Sequence, residues 1–209
     1  MKQNVRTLQD IVSRKGSSKV LTFSIPHVFK ALQLLSSEKY VSRSTFCKEL
    51  HLGEGSVKTL ILHLKDAGMI KTTKSGTYLS KKGIRLIGSF LEFIPRECQI
   101  KKCKMTPSKF NHVILLRNYS NKIKSGLEQR DYAILYGATG VITLLFRNGK
   151  FVFPSDEKVA LVNDNQNKNK LDESLKPKNG DVIIIASAND PFVAEISAKN
   201  SALWTLAAN

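Results

Sequence analysis

The order of hydrophobic patterns between residues 24 and 95 places the strongest limit on how this chain folds. Apolar residues recur there at helical spacing in four segments, and a glycine turn between two short β-type runs separates the third segment from the fourth. The predicted helices span residues 24–36, 42–50, 56–67 and 80–94, and the predicted strands span residues 69–73 and 77–79. This order predicts three helices, a small hairpin and a closing helix.

Each of these helices carries an apolar stripe, which predicts a shared core. The residues expected to face inward are Val28, Ala31, Leu32, Leu35, Phe46, Leu50, Val57, Leu60, Ile61 and Leu64. Cys47 is also expected on the buried side of the second helix. The fourth helix has two adjacent stripes, one containing Ile84 and the other Leu86. A helix this apolar needs two packing partners, namely its own domain and either a second subunit or the C-terminal domain.

Positive charge is concentrated in the first half of the 209-residue chain. Residues 1–110 hold 21 Lys and Arg against 7 Asp and Glu, a net charge of +14, whereas residues 111–209 hold 12 against 10, a net charge of +2. A general basic bias would affect both halves, so the asymmetry favours a field that attracts nucleic-acid phosphate to the first half. A solvated basic surface is the alternative.

The third predicted helix has an outward face that suits entry into a DNA major groove. At about 100° per residue, an inward Val57 and Leu60 leave a small, polar face at the start of the helix. The hairpin adds lysines that suit phosphate contact, and the starts of the second and fourth helices add further basic and hydroxyl groups. The residues predicted to contact DNA are Arg43, Ser44, Ser56, Lys58, Thr59, His63, Lys71, Lys74, Lys81 and Lys82.

The run from Val41 to Leu64, VSRSTFCKELHLGEGSVKTLILHL, continues as KDAGMIKTTKSGTYLSKKG. Over roughly residues 25–95 it resembles the winged helix-turn-helix regulators common in bacteria and archaea, in which a basic glycine-turn hairpin precedes a helix start like LSKKG at residues 79–83. The resemblance implies DNA binding, although winged helices also serve as protein-interaction modules and some bind RNA. The whole chain also resembles an uncharacterised archaeal family that joins such a domain to a small α+β domain and has no established activity.

The second half alternates predicted strands and helices. Strands are expected at residues 112–117, 141–146, 150–153 and 181–186, helices at residues 126–136 and from Asp190 onward, a polar loop at residues 163–170 and a helical turn at residues 171–175. The predicted fold class is α+β. A winged helix-turn-helix domain over residues 1–95, with a basic lead-in at residues 8–18, is followed by a linker over residues 96–110. A small α+β domain with a mixed sheet over residues 111–209 completes the chain.

The second half offers few candidates for chemistry. A predicted helix bearing Arg130-Asp131 leads into Gly137-Ala138-Thr139-Gly140, where backbone N–H groups can approach a phosphate or carboxylate that Arg130 grips. The predicted ligand-binding residues are Arg130, Asp131, Gly137, Thr139 and Gly140. The alternatives are a tight turn for the glycines and a structural ion pair for Arg130 and Asp131.

Catalytic and metal-binding motifs are missing from the sequence. His112 is the only histidine after His63, and neither a P-loop nor a G-x-G-x-x-G run occurs. Cys98 and Cys103 are spaced C-x4-C without a second pair, so we expect unpaired thiols and neither a metal nor a cofactor.

These features predict a DNA-binding transcription regulator rather than an enzyme. It would bind double-stranded DNA as a homodimer, and its C-terminal domain would bind a small-molecule effector or form the dimer. The alternatives are a chromatin- or RNA-associated protein that binds nucleic acid without sequence preference, and an enzyme whose C-terminal domain acts on a small molecule. The lack of an apolar run of about 18 residues or of a secretory signal predicts a cytoplasmic protein without membrane contact.

Overall fold

A computed structural model describes residues 1–13, 21–106 and 108–208, which divide into two compact units, Met1–Phe90 and Leu91–Asn209. The part of the predicted lead-in beyond residue 13 and Pro107 of the predicted linker lie outside the described residues. The predicted α+β class is confirmed. The first unit is mainly helical with a two-stranded hairpin, and the second combines a five-stranded sheet with helices.

The first unit contains helices and a hairpin in the predicted order, with one further helix before them. Its elements are α1 (Lys2–Ile11), α2 (Ile25–Ser37), α3 (Arg43–Leu50), α4 (Glu54–Asp66), β1 (Ile70–Thr73), β2 (Gly76–Leu79) and α5 (Lys81–Phe93). Only residues 8–11 of α1 lie within the predicted lead-in, yet the helix buries Val5, Leu8 and Ile11 at helical spacing. It is therefore an integral part of the core of this unit.

The predicted apolar stripes form that core. Every residue expected to face inward on the first three predicted helices is buried except Ile61, which is half-buried, as is Cys47. Phe29 of α2 packs edge-on against Phe90 of α5, with ring centroids 5.4 Å apart. The stripe predicted to include Ile84 is not fully covered, since that side chain is 56% exposed.

The second unit is built on one antiparallel sheet of strand order β3-β4-β7-β5-β6. Its elements are β3 (Glu97–Ile100), β4 (Phe110–Leu116), α6 (Leu127–Ile134), β5 (Gly140–Arg147), β6 (Lys150–Val152), α7 (Asn165–Leu175), β7 (Val182–Ala188) and α8 (Pro191–Ala208). The prediction of a mixed sheet is wrong in this detail. A strand-helix-strand connection from β4 through α6 to β5 favours a parallel neighbour, but β7 lies between them and is antiparallel to both.

Helices cover both faces of this sheet. Side chains alternate along a strand, so the paired residues Val113 and Ile185 share a face, and both belong to a buried cluster with Leu171 and Leu175 of α7. The adjacent residue His112 lies on the opposite face, against α8. This arrangement explains why the β7 segment is apolar except for Ser187, because it is buried on both sides.

Two predicted segments differ from the structure. The predicted linker contributes β3, the edge strand at Glu97–Ile100, which pairs with β4. Most of the predicted polar loop at residues 163–170 belongs to α7, which Asp164 caps by accepting a hydrogen bond from the Asn167 N–H at 3.1 Å. Such polar residues favour loops on composition alone, but here Leu171 supplies the buried face that holds the helix.

The described residues hold no group of three or more His, Cys, Asp and Glu side chains arranged for a metal ion. Within the same residues, no helix has both the length and the apolar character needed to cross a membrane. The cysteines are unpaired. Burial raises the pKa of the Cys98 thiol to about 11, which keeps it protonated and unreactive at neutral pH.

Candidate nucleic-acid interface

A cleft of about 460 Å³ opens on the first unit between the start of α3, the exposed side of α4 and the β1–β2 hairpin. We call it the basic cleft. It is lined by Val41, Ser42, Arg43, Lys58, Ile61, Thr72, Thr73, Lys74, Ser75, Gly76 and Thr77. Three of the ten residues predicted to contact DNA thus come together here from three separate elements, and all three are cations.

A short backbone bridge positions the walls of this cleft. The Val41 N–H donates to the Thr77 carbonyl oxygen at 2.8 Å, and the Thr77 N–H donates to the Val41 carbonyl oxygen at 2.9 Å. Gly76 is required beside this bridge, since its φ is +132° and a Cβ atom would lie 3.0 Å from the Val41 oxygen. The bridge therefore fixes the hairpin tip, with Lys74, opposite the start of α3, with Arg43.

The start of α3 is held by its own hydroxyl groups. Ser42 Oγ accepts a hydrogen bond from the Thr45 N–H at 3.0 Å and contacts the Ser44 Oγ at 2.8 Å. Ser44 was predicted as a DNA contact. Its side chain is exposed, but its hydroxyl already belongs to this cap. Arg43, next to the cap, is exposed and lines the cleft.

On α4, the predicted contact residues differ in how free their polar groups are. Lys58 is exposed and lines the cleft, next to the half-buried Ile61. The Thr59 hydroxyl donates to the Gly55 carbonyl oxygen at 3.0 Å, and the Ser56 hydroxyl accepts a hydrogen bond from the Thr22 hydroxyl at 2.6 Å. Among the predicted DNA contacts on α4, Lys58 is therefore the one that brings a charged group to the basic cleft.

His63 is not available to a phosphate, and its prediction as a DNA contact is wrong. It is only 6% exposed, and its Nδ1 lies 2.6 Å from the carbonyl oxygen of Ile11. A carbonyl oxygen only accepts, so Nδ1 carries the proton and donates. The ring also meets Phe23 edge-on at 5.7 Å. His63 lies on the flank of the α4 stripe, and this flank is covered by α1, whose packing the sequence did not predict.

The remaining predicted lysines lie outside the basic cleft. Lys71 is exposed on β1, and Lys81 and Lys82 are exposed at the start of α5. The Lys82 ammonium donates to the carbonyl oxygen of Ala67 at 2.8 Å, at the end of α4. Lys82 therefore has a structural role in favourable contact with a helix C-terminus.

In the second unit, three of the predicted ligand-binding residues lie in or just after the turn that follows α6, namely Gly137, Thr139 and Gly140. Gly137 has a φ of +92°, and its N–H closes the helix by donating to the Ile134 oxygen at 2.9 Å. The Thr139 hydroxyl donates to the Ser187 oxygen at 3.0 Å, and Gly140 begins β5. Arg130 and Asp131 are exposed on α6, with no ion pair between them in the described part of the chain.

The second unit also contains a buried charged cluster that the sequence did not predict. Glu97 Oε2 of β3 lies 2.5 Å from the Lys199 ammonium and 3.1 Å from His112 Nε2, and Glu195 Oε1 lies 3.3 Å from the same ammonium. Burial alone would raise the pKa of Glu97. The charge of Lys199 and the hydrogen bonds from His112 and Lys199 outweigh burial and lower the pKa to about 2.

A second cavity of about 560 Å³ lies in the loops of the second unit. Its lining is mostly apolar, with Val159 and Val162 43% and 68% exposed, and exposed Lys102 and Lys104 also line it. Asp164, also in the lining, turns its carboxylate to Asn167, whose side-chain Nδ2 donates to Oδ2 at 2.8 Å.

Comparison with known proteins places the chain beside uncharacterised relatives. Residues 107–206 match a domain of unknown function, DUF4443. A solved structure described as a hypothetical protein, PH0730 from Pyrococcus horikoshii OT3, is 26% identical with a TM-score of 0.69, and the alignment covers 86% of this chain and 91% of that one. No curated protein matches the chain. Both matches fit the expected uncharacterised archaeal family.

Sequence reasoning missed several cleft residues, chiefly Val41, Ser42, Thr72 and Thr73. Of the hairpin residues, only the lysines were predicted to contact DNA. The signal available in the sequence was the run of three polar residues, Lys71, Thr72 and Thr73, after Ile70, and the structure leaves all three exposed. No local pattern predicts the pairing of Val41 with Thr77, so the cleft itself was not predictable.

Proposed function

We propose that the chain is a DNA-binding protein, that its first unit is a winged helix-turn-helix domain, and that the basic cleft holds the DNA backbone. The observation that supports this most is the convergence of Arg43, Lys58 and Lys74 on one cleft. Three cations around a single depression suit an anionic backbone better than they suit a neutral partner. On this proposal the protein acts by binding rather than by catalysis.

α4 is the element that enters the major groove on this proposal. Its start carries two glycines, the N-cap Gly53 and Gly55, and a Cβ atom at either would meet no other atom within 4 Å. These glycines are therefore not needed for packing, and they allow close backbone approach at the N-terminus of a helix, where free N–H groups favour phosphate. Glu54 is exposed in the same turn and opposes an anion there.

Removing one cation of the basic cleft should lower the affinity for DNA and also reduce the dependence of that affinity on salt concentration. We expect Lys58→Ala and Lys74→Ala each to reduce affinity for a duplex by about threefold to tenfold. The slope of log affinity against log salt should fall by about 0.9 for each phosphate that the variant no longer neutralises. Glu54→Gln should instead raise the affinity, because it removes the carboxylate that opposes an anion at the start of α4. Fluorescence anisotropy with a labelled duplex over a salt series measures both quantities.

Lys150→Ala is the matched control, since Lys150 is an exposed lysine beside the hairpin turn of the second unit. It removes the same charge from the chain and should leave affinity within twofold. An equal loss in this control would mean that the chain attracts DNA by net charge alone. Selection from random duplexes then separates the outcomes: an enriched motif supports a transcription regulator, and binding without enrichment supports the chromatin- or RNA-associated alternative.

We propose a second role, that the cavity of the second unit binds an apolar molecule bearing one anionic group. Its volume falls in the range of about 300–1,000 Å³ usual for small-ligand sites, and it joins exposed valines to two lysines. This cavity, rather than the turn that follows α6, is the effector site we favour, because the groups around Gly137 and Thr139 already serve the turn.

A charge placed on the apolar wall of this cavity should weaken this binding. We expect Val162→Asp to weaken binding of anilinonaphthalene sulfonate, an aromatic probe with one sulfonate, by at least about tenfold, because the variant places a carboxylate beside the rings. Ile84→Asp changes another exposed apolar residue, on α5, and should have no effect. Probe fluorescence in a titration is the measurement, and equal affinity for both variants would contradict the assignment.

A further inference from the structure

The outer face of α6 carries an unpartnered pattern of apolar and charged side chains. Leu127 and Ile134 are 58% and 42% exposed, and Arg130 and Asp131 lie exposed between them. Residues three, four and seven apart share one face of a helix, so these four side chains form one patch. Leu135, the most exposed large apolar residue of this unit at 76%, lies at its edge.

The opposite face of α6 is firmly attached to α8. Gln129 and Ala133 are buried, the Gln129 side-chain N–H donates to the Thr205 Oγ1 at 3.1 Å, and the Asn200 side-chain N–H donates to the Tyr132 carbonyl oxygen at 2.6 Å. The orientation of the outer patch is therefore fixed by the core of the second unit. A rigid face with exposed leucine and isoleucine is typical of an interaction surface.

The patch is complementary to itself under a two-fold rotation. α6 runs from Leu127 to Ile134, so its midpoint falls between Arg130 and Asp131. If a second copy packs antiparallel about an axis through this midpoint, Leu127 of each copy faces Ile134 of the other. In the same register Arg130 of each copy faces Asp131 of the other, so two apolar contacts and two ion pairs form at once. This reciprocal pairing is what an isologous interface requires.

One further position fits the same register. Leu135 of each copy falls opposite Gly126 of the other, the residue just before Leu127. Gly126 has its own structural reason to be glycine, since its φ is +84° and a Cβ atom would lie 2.9 Å from the Thr143 Cβ. From this pattern we infer that α6 is a homodimer surface and that its partner is a second copy of this chain.

This inference does not rest on the DNA-binding proposal, because oligomeric state is measured without DNA. The patch is small beside the roughly 20–30 residues a side of a standard interface. The dimer should therefore dissociate on dilution. Sedimentation velocity on the full chain from about 1 μM to about 1 mM covers the range in which such a dimer forms.

A charge swap tests the pairing directly. Arg130→Asp and Asp131→Arg each place like charges opposite one another, and each should weaken the dimer by at least about tenfold. The double variant R130D/D131R restores opposite charges across the axis and should recover dimerisation to within about threefold of the original protein. Both side chains are exposed, so unchanged fluorescence of Trp204 will show that the fold is retained.

Three results would overturn the inference. The first is a monomer at every concentration, and the second is a dimer that neither single variant weakens, which places the interface elsewhere. The third is a double variant as weak as the single ones, because this excludes the reciprocal Arg130–Asp131 contact. Affinity of the same variants for DNA, measured with a short duplex that holds one copy, reports separately on the basic cleft.

Discussion

Replacing Glu97 with glutamine is expected to lower the free energy of unfolding of the second unit by about 3 kcal/mol, because it removes the main counter-charge of a buried ammonium. Lys199 is fully buried in α8, and Glu97 is its nearer partner, at 2.5 Å. Glu195 remains at 3.3 Å in the variant, which keeps the loss at the lower end of the range for a broken buried pair. Urea denaturation followed by the fluorescence of Trp204, the only tryptophan, gives the value.

The same experiment has a defined dependence on pH. The pKa of Glu97 is about 2 in the folded protein and 4.5 ordinarily. A carboxyl group whose pKa is lower in the folded state contributes its full stabilisation above pH 4.5, and this contribution is lost as pH falls towards 2. The difference in stability between the original protein and Glu97→Gln should therefore be constant near neutral pH and shrink below about pH 4.5.

Two further variants separate the buried pair from charge in general. The double variant Glu97→Gln/Lys199→Met also removes the buried ammonium. It should recover at least about half of the unfolding free energy that Glu97→Gln loses. Asp156→Asn breaks an exposed ion pair with Lys158, 2.8 Å long, and should not move the unfolding midpoint. A loss in Glu97→Gln no larger than in Asp156→Asn would show that the cluster does not hold β3 to α8.

Replacing Gly83 with alanine is expected to destabilise the first unit by about 3 kcal/mol, the upper part of the usual range for a side chain forced into filled space. A Cβ atom at this position would lie 2.1 Å from the backbone oxygen of Met69 and 3.1 Å from the Leu79 side chain. The oxygen of Met69 cannot move away easily, because it also accepts the Ser80 N–H at 2.9 Å. The hairpin base and α5 would have to separate.

Gly88 is the matched control in the same helix, since a Cβ atom there would meet nothing within 4 Å. Gly88→Ala should raise stability by about 0.5–1 kcal/mol through reduced freedom of the unfolded chain. Amide hydrogen exchange over residues 70–90 measures both variants. If Gly83→Ala exchanges as slowly as the original protein, the close approach of α5 to Met69 is wrong. Because the hairpin forms one wall of the basic cleft, Gly83→Ala should also weaken the DNA binding proposed for that cleft.

The basic glycine-turn hairpin and the LSKKG helix start were recognised from sequence, but their physical meaning came from the fold. Sequence pattern placed Gly83 at a helix start, and only the 2.1 Å approach to Met69 shows why the position tolerates no side chain. Likewise, Gly76 was predicted as a turn residue, and the structure adds its close approach to Val41.

The errors in prediction have a common cause. His63 lies at the flank of the α4 stripe, where helical periodicity does not decide between solvent and a neighbour, and α1 covers it. Residues 97–100 resemble a linker because a four-residue edge strand has little pattern of its own, yet they pair with β4. In both cases the deciding interaction comes from an element that the local sequence does not specify.

The sequence by itself determined the elements that depend on near neighbours: the four amphipathic helices between residues 24 and 94, the glycine-turn hairpin of the first unit, the apolar β7 strand and the concentration of positive charge before residue 111. Spacing, turn chemistry and charge act over a few residues and can be read directly. Only the tertiary structure decided the basic cleft, the insertion of β7 between β4 and β5, and the pairing of Glu97 with Lys199, 102 residues along the chain. Such contacts depend on the packing of the whole unit, because a side chain gains a buried partner only when distant elements are brought together.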